Sequence, residues 1–184
     1  MVWKKILWIN IIVHILAHYS DIPFDHFALW PNTEFERPYQ YITHMFLHAS
    51  FAHILFNMLA FLSFAPMVEE HFGSKKFLIF YLLSGLGAAF LHIYVTGSEI
   101  PMVGASGAIF GVLIVSAILE PDLKVLLFFI IPLKAKWIVP LVLIGELYFG
   151  IMTPGDHIAH FAHLGGALTG GLYFLINKKY EKGR

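Results

Sequence analysis

The residues able to do chemistry in this 184-residue chain are few, because cysteine is absent and only 13% of positions are charged. Without thiols there are no disulfides, Cys-ligated zinc sites or iron–sulfur clusters, and covalent chemistry runs through oxygen or nitrogen. Ser106, His163, His53 and Asn57 stand out. A serine hydroxyl becomes a nucleophile when a neutral imidazole within hydrogen-bond reach takes its proton. The tetrahedral intermediate of acyl transfer then needs donors for its oxyanion, each worth about 10²–10³ in rate. His53 and Asn57 lie four residues apart, so they share a helix face and point two donors one way. The backbone N–H of Ser106 is a third.

The elements that position these groups follow from composition. The chain is 58% apolar with a mean hydropathy of +0.72 and zero formal net charge. Soluble domains run near a quarter charged, so this chain is expected to be an all-α polytopic membrane protein. Apolar runs at about 6–20, 43–66, 77–96, 104–119, 137–152 and 158–177 each approach the roughly 20 residues a span needs, predicting a six-transmembrane-helix bundle as one domain over 1–184. The stretch Val125 to Leu133 is too short to cross and is expected to be interfacial or extended. Lys4, Lys5, Lys75, Lys76, Lys124, Lys134, Lys136, Lys178, Lys179, Lys182 and Arg184 fall on one side of these spans and only Arg37 on the other. The positive-inside rule then puts both termini in the cytoplasm. The loop from Asp21 to Tyr41 lies outside. The lack of a basic domain argues against nucleic acid as a partner; the bilayer is the expected surroundings.

Within this layout, the second helix is expected to carry His44, His48, His53 and Asn57, the fourth Ser106, and the sixth His160 and His163. All fall in the outer half, where polar groups raise a functional question. His163 shares its face with Gly166, Ala167 and Gly170, and the fourth helix offers Gly104, Gly107 and Gly111. Such small-residue stripes let two backbones approach closely and would bring Ser106 toward His163.

Each residue also has a plainer reading. Ser106 alone in a glycine-rich helix reads as packing, Asn57 as interhelical glue, and His163 as a histidine bonded to a backbone carbonyl. Glu146, the one carboxyl within a span, reads as an acid bonded to a neighbouring helix rather than a third catalytic member. Trp3, Trp8, Trp137 and Tyr148 read as interfacial belts. Eleven histidines, with His14/His18 and His44/His48 four apart and His157, His160 and His163 at three-residue steps, permit a metal carrier or haem protein instead. No H-E-x-x-H occurs, and carboxylates in the spans are scarce, so no metal or cofactor is expected.

Three motifs in order carry a family resemblance: His48-Ala-Ser-Phe-Ala-His53-Ile-Leu-Phe-Asn57, Gly104-Ala-Ser106-Gly107, and Ala162-His163-Leu-Gly165-Gly-Ala-Leu-Thr-Gly170. Together they resemble the H-x4-H-x3-N, G-x-S-G and A-H-x2-G signatures of rhomboid intramembrane serine proteases, and specifically their short bacterial GlpG type without a soluble amino-terminal domain. The resemblance implies Ser106 as nucleophile and His163 as base in a dyad with no acidic third member. His53, Asn57 and the Ser106 N–H would serve the oxyanion, His48 would hold the outer loop and water cavity, and Glu69 would be a structural acid. The implied substrates are transmembrane segments of membrane proteins, entering past a gate near Phe56 between the second and fifth helices. The implied location is the bacterial inner membrane, with the site opening to the periplasm. Tyr39-Gln40 replaces a frequent Trp-Arg in the outer loop, and Phe110 replaces a frequent tyrosine. An inactive relative acting as a chaperone is the remaining alternative, against which both Ser106 and His163 speak.

Overall fold

The first apolar segment folds as helix α1 (Val2–Tyr19), and its N-terminus finds a partner far along the chain. First-turn N–H groups have no intrahelical acceptor; those of Val2 and Trp3 donate to the two carboxylate oxygens of Glu69 at 2.8 and 2.6 Å. The carboxylate also meets the positive end of the helix dipole. The computed structural model describes residues 1–20, 23–127, 130–153 and 158–182. Asp21, His157 and Arg184, named above, lie outside the described residues.

Two short helices, α2 (Phe24–Phe27) and α3 (Gln40–Thr43), and a 3-10 turn at His44–Phe46 precede the long helix α4 (Phe51–Phe72). This corrects the expected start of the second span at residue 43. Ser50 is extended and its Oγ accepts the His53 N–H at 3.1 Å, an N-cap that opens the helix there. His44 and His48 therefore lie ahead of the helix, not on it.

Gly73 (φ 75°) turns the chain into α5 (Ser74–Thr96), followed by α6 (Ser106–Leu119). The expected interfacial stretch is extended: β1 (Lys124–Leu127) pairs antiparallel with β2 (Ile131–Lys134), so the chain is not wholly α. Asp122 sits 2.9 Å from Lys134 Nζ and 2.8 Å from Lys136 Nζ, and these ammonium groups, Lys136 first, hold its exposed carboxyl down at about 2. Helices α7 (Ala135–Met152) and α8 (His160–Lys182) complete the chain. Among the described residues, α4, α5 and α7 are long and apolar enough to cross a membrane, while α6 is apolar but has 14 residues. Trp8, Trp137 and Tyr148 are exposed.

The core lies where α6 packs against α4, α5 and α8, around the fully buried Phe61, Phe77, Phe80, Tyr81, Val112 and Val115. Lipid tails are as apolar as leucine, so close packing rather than hydrophobicity must join such helices. Glycine makes that possible: a Cβ on Gly166 would stand 1.8 Å from Gly107 O, and one on Gly170 2.6 Å from Gly111 Cα. On its other side α8 meets α5, where a Cβ on Gly165 would stand 2.6 Å from Gly87 O. The buried residues of α7 are Ala135, Ile138 and Val139, all in its first turns.

Candidate active site

Ser106 is the first residue of α6, not a mid-helix position. The α6–α8 seam brings its Oγ to 2.9 Å from His163 Nε2. Phe110, one turn on, lies flat on the imidazole, with ring centroids 4.4 Å apart and planes 3° from parallel. The ring plane is thus set by stacking, and Phe110 offers no polar atom to the ring.

Gly104 is not part of the α6 stripe as expected. It precedes the helix with φ 124°, its N–H donates to His44 O at 2.9 Å, and a Cβ there would stand 2.8 Å from His53 Nε2 and 3.7 Å from Ser106 Oγ. A side chain at this position would be both strained and in the way, so the bare backbone lets His53 reach the serine's surroundings. The His53 ring is met edge-on by fully buried His48, with centroids 5.0 Å apart. Asn57 spends one of its two amide N–H groups on His53 O at 3.0 Å. His53, Asn57, Ser106 and His163 all line one cavity of about 1130 Å³, which Phe56 of α4 and Gly150 of α7 also border.

The third polar partner comes from α7. Glu146 Oε2 accepts from His160 Nδ1 at 2.6 Å and lies 2.9 Å from His163 Nδ1. That second contact is close but does not have the geometry of a hydrogen bond. Glu146 is bonded to a neighbouring helix, as expected from its place in a span, but His160 was not expected in the site. A signal for it exists in the sequence: one carboxyl in a span, and two histidines three apart, which share a helix face. Among the described residues, these three also form a group able to hold a metal ion, their donor atoms lying within 4.8 Å of one another.

Gln40 answers the departure in the outer loop. Its amide is buried, accepting from Arg37 N at 2.9 Å and Trp30 N at 3.5 Å and donating to His26 O and Phe35 O, each at 3.2 Å. Tyr39 Oη bonds His26 Nε2 at 2.8 Å. Leu29 and Met102 exchange backbone hydrogen bonds at 3.1 and 2.8 Å, which ties this loop to the segment leading into Ser106.

A helical chain with segments long and apolar enough to cross a membrane, and with a serine hydroxyl against an imidazole inside a cavity, has an arrangement able to support acyl transfer. Comparison with known proteins gives the family. A Rhomboid domain matches residues 36–179, and the chain belongs to the rhomboid family. It is 33% identical over 141 residues to RHOMBOID-like protein 1 of Arabidopsis thaliana, covering 75% of this chain and 35% of that one. It is 30% identical over 146 residues to rhomboid protease GlpG of Haemophilus influenzae, covering 78% and 72%. Rhomboid protease GluP of Bacillus subtilis is 36% identical over 132 residues, covering 72% and 24%. Relatives from plants and mitochondria match as well as GlpG, so the likeness is to rhomboids broadly. The chain spans between about a third and two thirds of the length of several of these relatives.

Proposed function

We propose that this chain is an intramembrane serine endopeptidase that cleaves transmembrane segments of membrane proteins through an acyl-enzyme on Ser106. The observation that carries this reading is the 2.9 Å approach of Ser106 Oγ to His163 Nε2 inside the cavity. His163 takes the hydroxyl proton as Oγ attacks the amide carbon. The oxyanion is met by the Ser106 N–H, one of the free donors at the start of a helix, and by His53 and Asn57. His163 then returns the proton to the leaving amine, and water deacylates the serine. The rhomboid domain and the two protease relatives support the same activity.

The geometry also favours a serine below the outer surface. Fourteen residues of α6 rise about 21 Å, short of a bilayer core of about 30 Å, so a helix flush with the inner face starts at depth. Six spans in a single domain, with both termini in the cytoplasm of a bacterial inner membrane and the cavity opening to the periplasm, complete the proposal. In support, Glu69 ties the start of α1 to the turn into α5, and Tyr173 Oη donates to Lys76 O at 3.2 Å. These bonds gather Lys4, Lys5, Lys75, Lys76 and the later part of α8 at one end. Substrate enters from lipid between α4 and α7, past the exposed ring of Phe56. Phe56→Ala is expected to speed cleavage of a lipid-borne substrate more than reaction with a small soluble probe; equal effects on both would remove the gate.

The test is cleavage of a model transmembrane substrate by the purified protein in detergent. Ser106→Ala and His163→Ala are expected to abolish it. Cleavage by both variants at the wild-type rate would overturn the reading, and loss of wild-type cleavage with a chelator would point to a metalloprotease.

A further inference from the structure

We infer that Glu146 is a positioning residue for His163, making the site a serine–histidine–glutamate array in which α7 supplies the acid. This rests on the proteolytic reading above and goes beyond the two-residue dyad that the resemblance implies. Three features of the structure carry it. First, the carboxylate lies on the far side of the imidazole from the nucleophile: Ser106 Oγ is 2.9 Å from Nε2, and Glu146 Oε2 is 2.9 Å from Nδ1. Second, the same oxygen is anchored by a 2.6 Å hydrogen bond from His160 Nδ1, so it is held beside the ring. Third, the stacked Phe110 fixes the plane of the imidazole but gives Nδ1 nothing to bond, and among the described residues the Glu146 carboxylate stands beside it at 2.9 Å.

The chemistry needs such a group at one moment. For Nε2 to accept the serine proton, the neutral ring must carry its hydrogen on Nδ1. A carboxylate beside Nδ1 selects that tautomer, because it accepts hydrogen bonds and donates none. As the Oγ–carbon bond forms and the carbonyl electron pair moves onto oxygen, the serine proton passes to Nε2, and the ring becomes an imidazolium with N–H on both sides. Its Nδ1–H then donates to Glu146, which stays ionised throughout. When the amide C–N bond breaks, Nε2–H goes to the departing nitrogen and the ring is neutral again. The resting 2.9 Å contact lacks hydrogen-bond geometry; a small turn of the carboxylate, or of the ring within its stacked plane, aligns it as charge appears on the imidazole. His160 keeps the carboxylate from turning away. Side-chain exposures of 16%, 13% and 8% for Glu146, His163 and His160 leave little water to take over this role.

The test compares Glu146→Gln, Glu146→Asp and Glu146→Leu in the purified full chain, measuring kcat and KM on a model transmembrane substrate and the rate of fluorophosphonate labelling of Ser106. Ser106→Ala and His163→Ala run beside them. A glutamine amide in place of the carboxylate can turn its NH₂ toward Nδ1 and favour the wrong tautomer, so Glu146→Gln is expected to lower kcat about 10²-fold or more, with KM within twofold and labelling slowed in parallel. Glu146→Asp keeps the charge on a shorter arm and is expected to recover part of kcat, whereas Glu146→Leu is expected to recover none. Equal kcat in wild type and Glu146→Gln would overturn the inference, as would a glutamine and an aspartate variant equally impaired. If the variants fail to fold, ¹⁵N spectra of histidine-labelled wild-type protein decide: the His163 signal is expected to report the Nδ1–H tautomer, and the Nε2–H tautomer would overturn the proposal. Inactive Ser106→Ala and His163→Ala beside a fully active Glu146→Gln would refute the role of Glu146 alone. Active Ser106→Ala and His163→Ala would refute the proteolytic reading itself.

Discussion

The two helices that flank His163 hold α8 in different ways. α6 meets it backbone against backbone, with Gly107 and Gly111 pressed on Gly166 and Gly170 so closely that no Cβ fits. α7 meets it largely through side chains, Glu146 on His160 and His163, while Leu141, Ile144, Tyr148 and Ile151 of the same helix are 57–64% exposed. A backbone seam has no rotamers to change, whereas a seam of side chains can part and re-form. Ser106 and His163 thus lie on the tighter of the two contacts, and α7, whose outer face is exposed, is the cavity wall with more freedom to move. On the proposed proteolytic reading, the distinction explains how the site is both precise and open to a bulky substrate.

The strongest way to break this contrast is Gly166→Ala. The new methyl meets the Gly107 carbonyl, so the helices must part; overpacking of this kind costs about 1–3 kcal/mol, and a misplacement of about 1 Å costs about 10²-fold in rate. Both denaturant unfolding in detergent and substrate cleavage are expected to show it. Retention of activity would mean that the dyad does not depend on that seam. Glu69→Ala comes next: it strips two N–H groups of α1 of their acceptor, with an expected loss of about 2 kcal/mol, while cleavage by the folded fraction persists. On the outer side, Gln40→Ala removes the hub of the loop. The expected result is a loss of about 1–2 kcal/mol and faster trypsin cleavage at Arg37.

Small effects sharpen the contrast from the other side. Ile144→Ala, on the exposed face of α7, is expected to change stability by less than about 0.5 kcal/mol; a larger loss would show α7 to be packed as tightly as α6. The least effect concerns Tyr41, whose hydroxyl donates to Glu36 at 2.8 Å. Burial, then the Glu36 carboxylate, raises its phenol to about 12. A raised phenol favours the protonated, folded loop, so its contribution is complete below about pH 10 and fades as pH rises through about 12. Proteolysis at Arg37 is expected to accelerate in that window, and Tyr41→Phe to flatten the change.

Much of the approach of Ser106 to His163 is legible in the sequence because it depends on spacing. The four-residue step from His53 to Asn57 and the glycines around Ser106 and His163 are local patterns, and helix geometry converts them directly into faces. The start of α4 was not legible by hydropathy, since residues 43–50 continue without a break into the helix that follows; the Ser50 cap that ends the irregular stretch is a hydrogen bond, which a window of hydrophobicity does not contain. Spacing groups Gly104 with Gly107 and Gly111 and misses for a related reason: its positive φ lies before the helix, so it clears space for His53 rather than for α8. Gln40 and Glu146 depend on contacts across the fold, to His26 and Phe35 in one case and to α8 in the other. A residue type alone says that such a group needs partners; which partners it meets is decided by packing.

Activation of Ser106 by His163 is tested most directly by reacting the purified protein with a fluorophosphonate and locating the adduct by mass spectrometry. The expected result is a single adduct on Ser106 in the wild type and none when His163 is replaced by alanine. An adduct on a different serine, or undiminished labelling of Ser106 without His163, would contradict it.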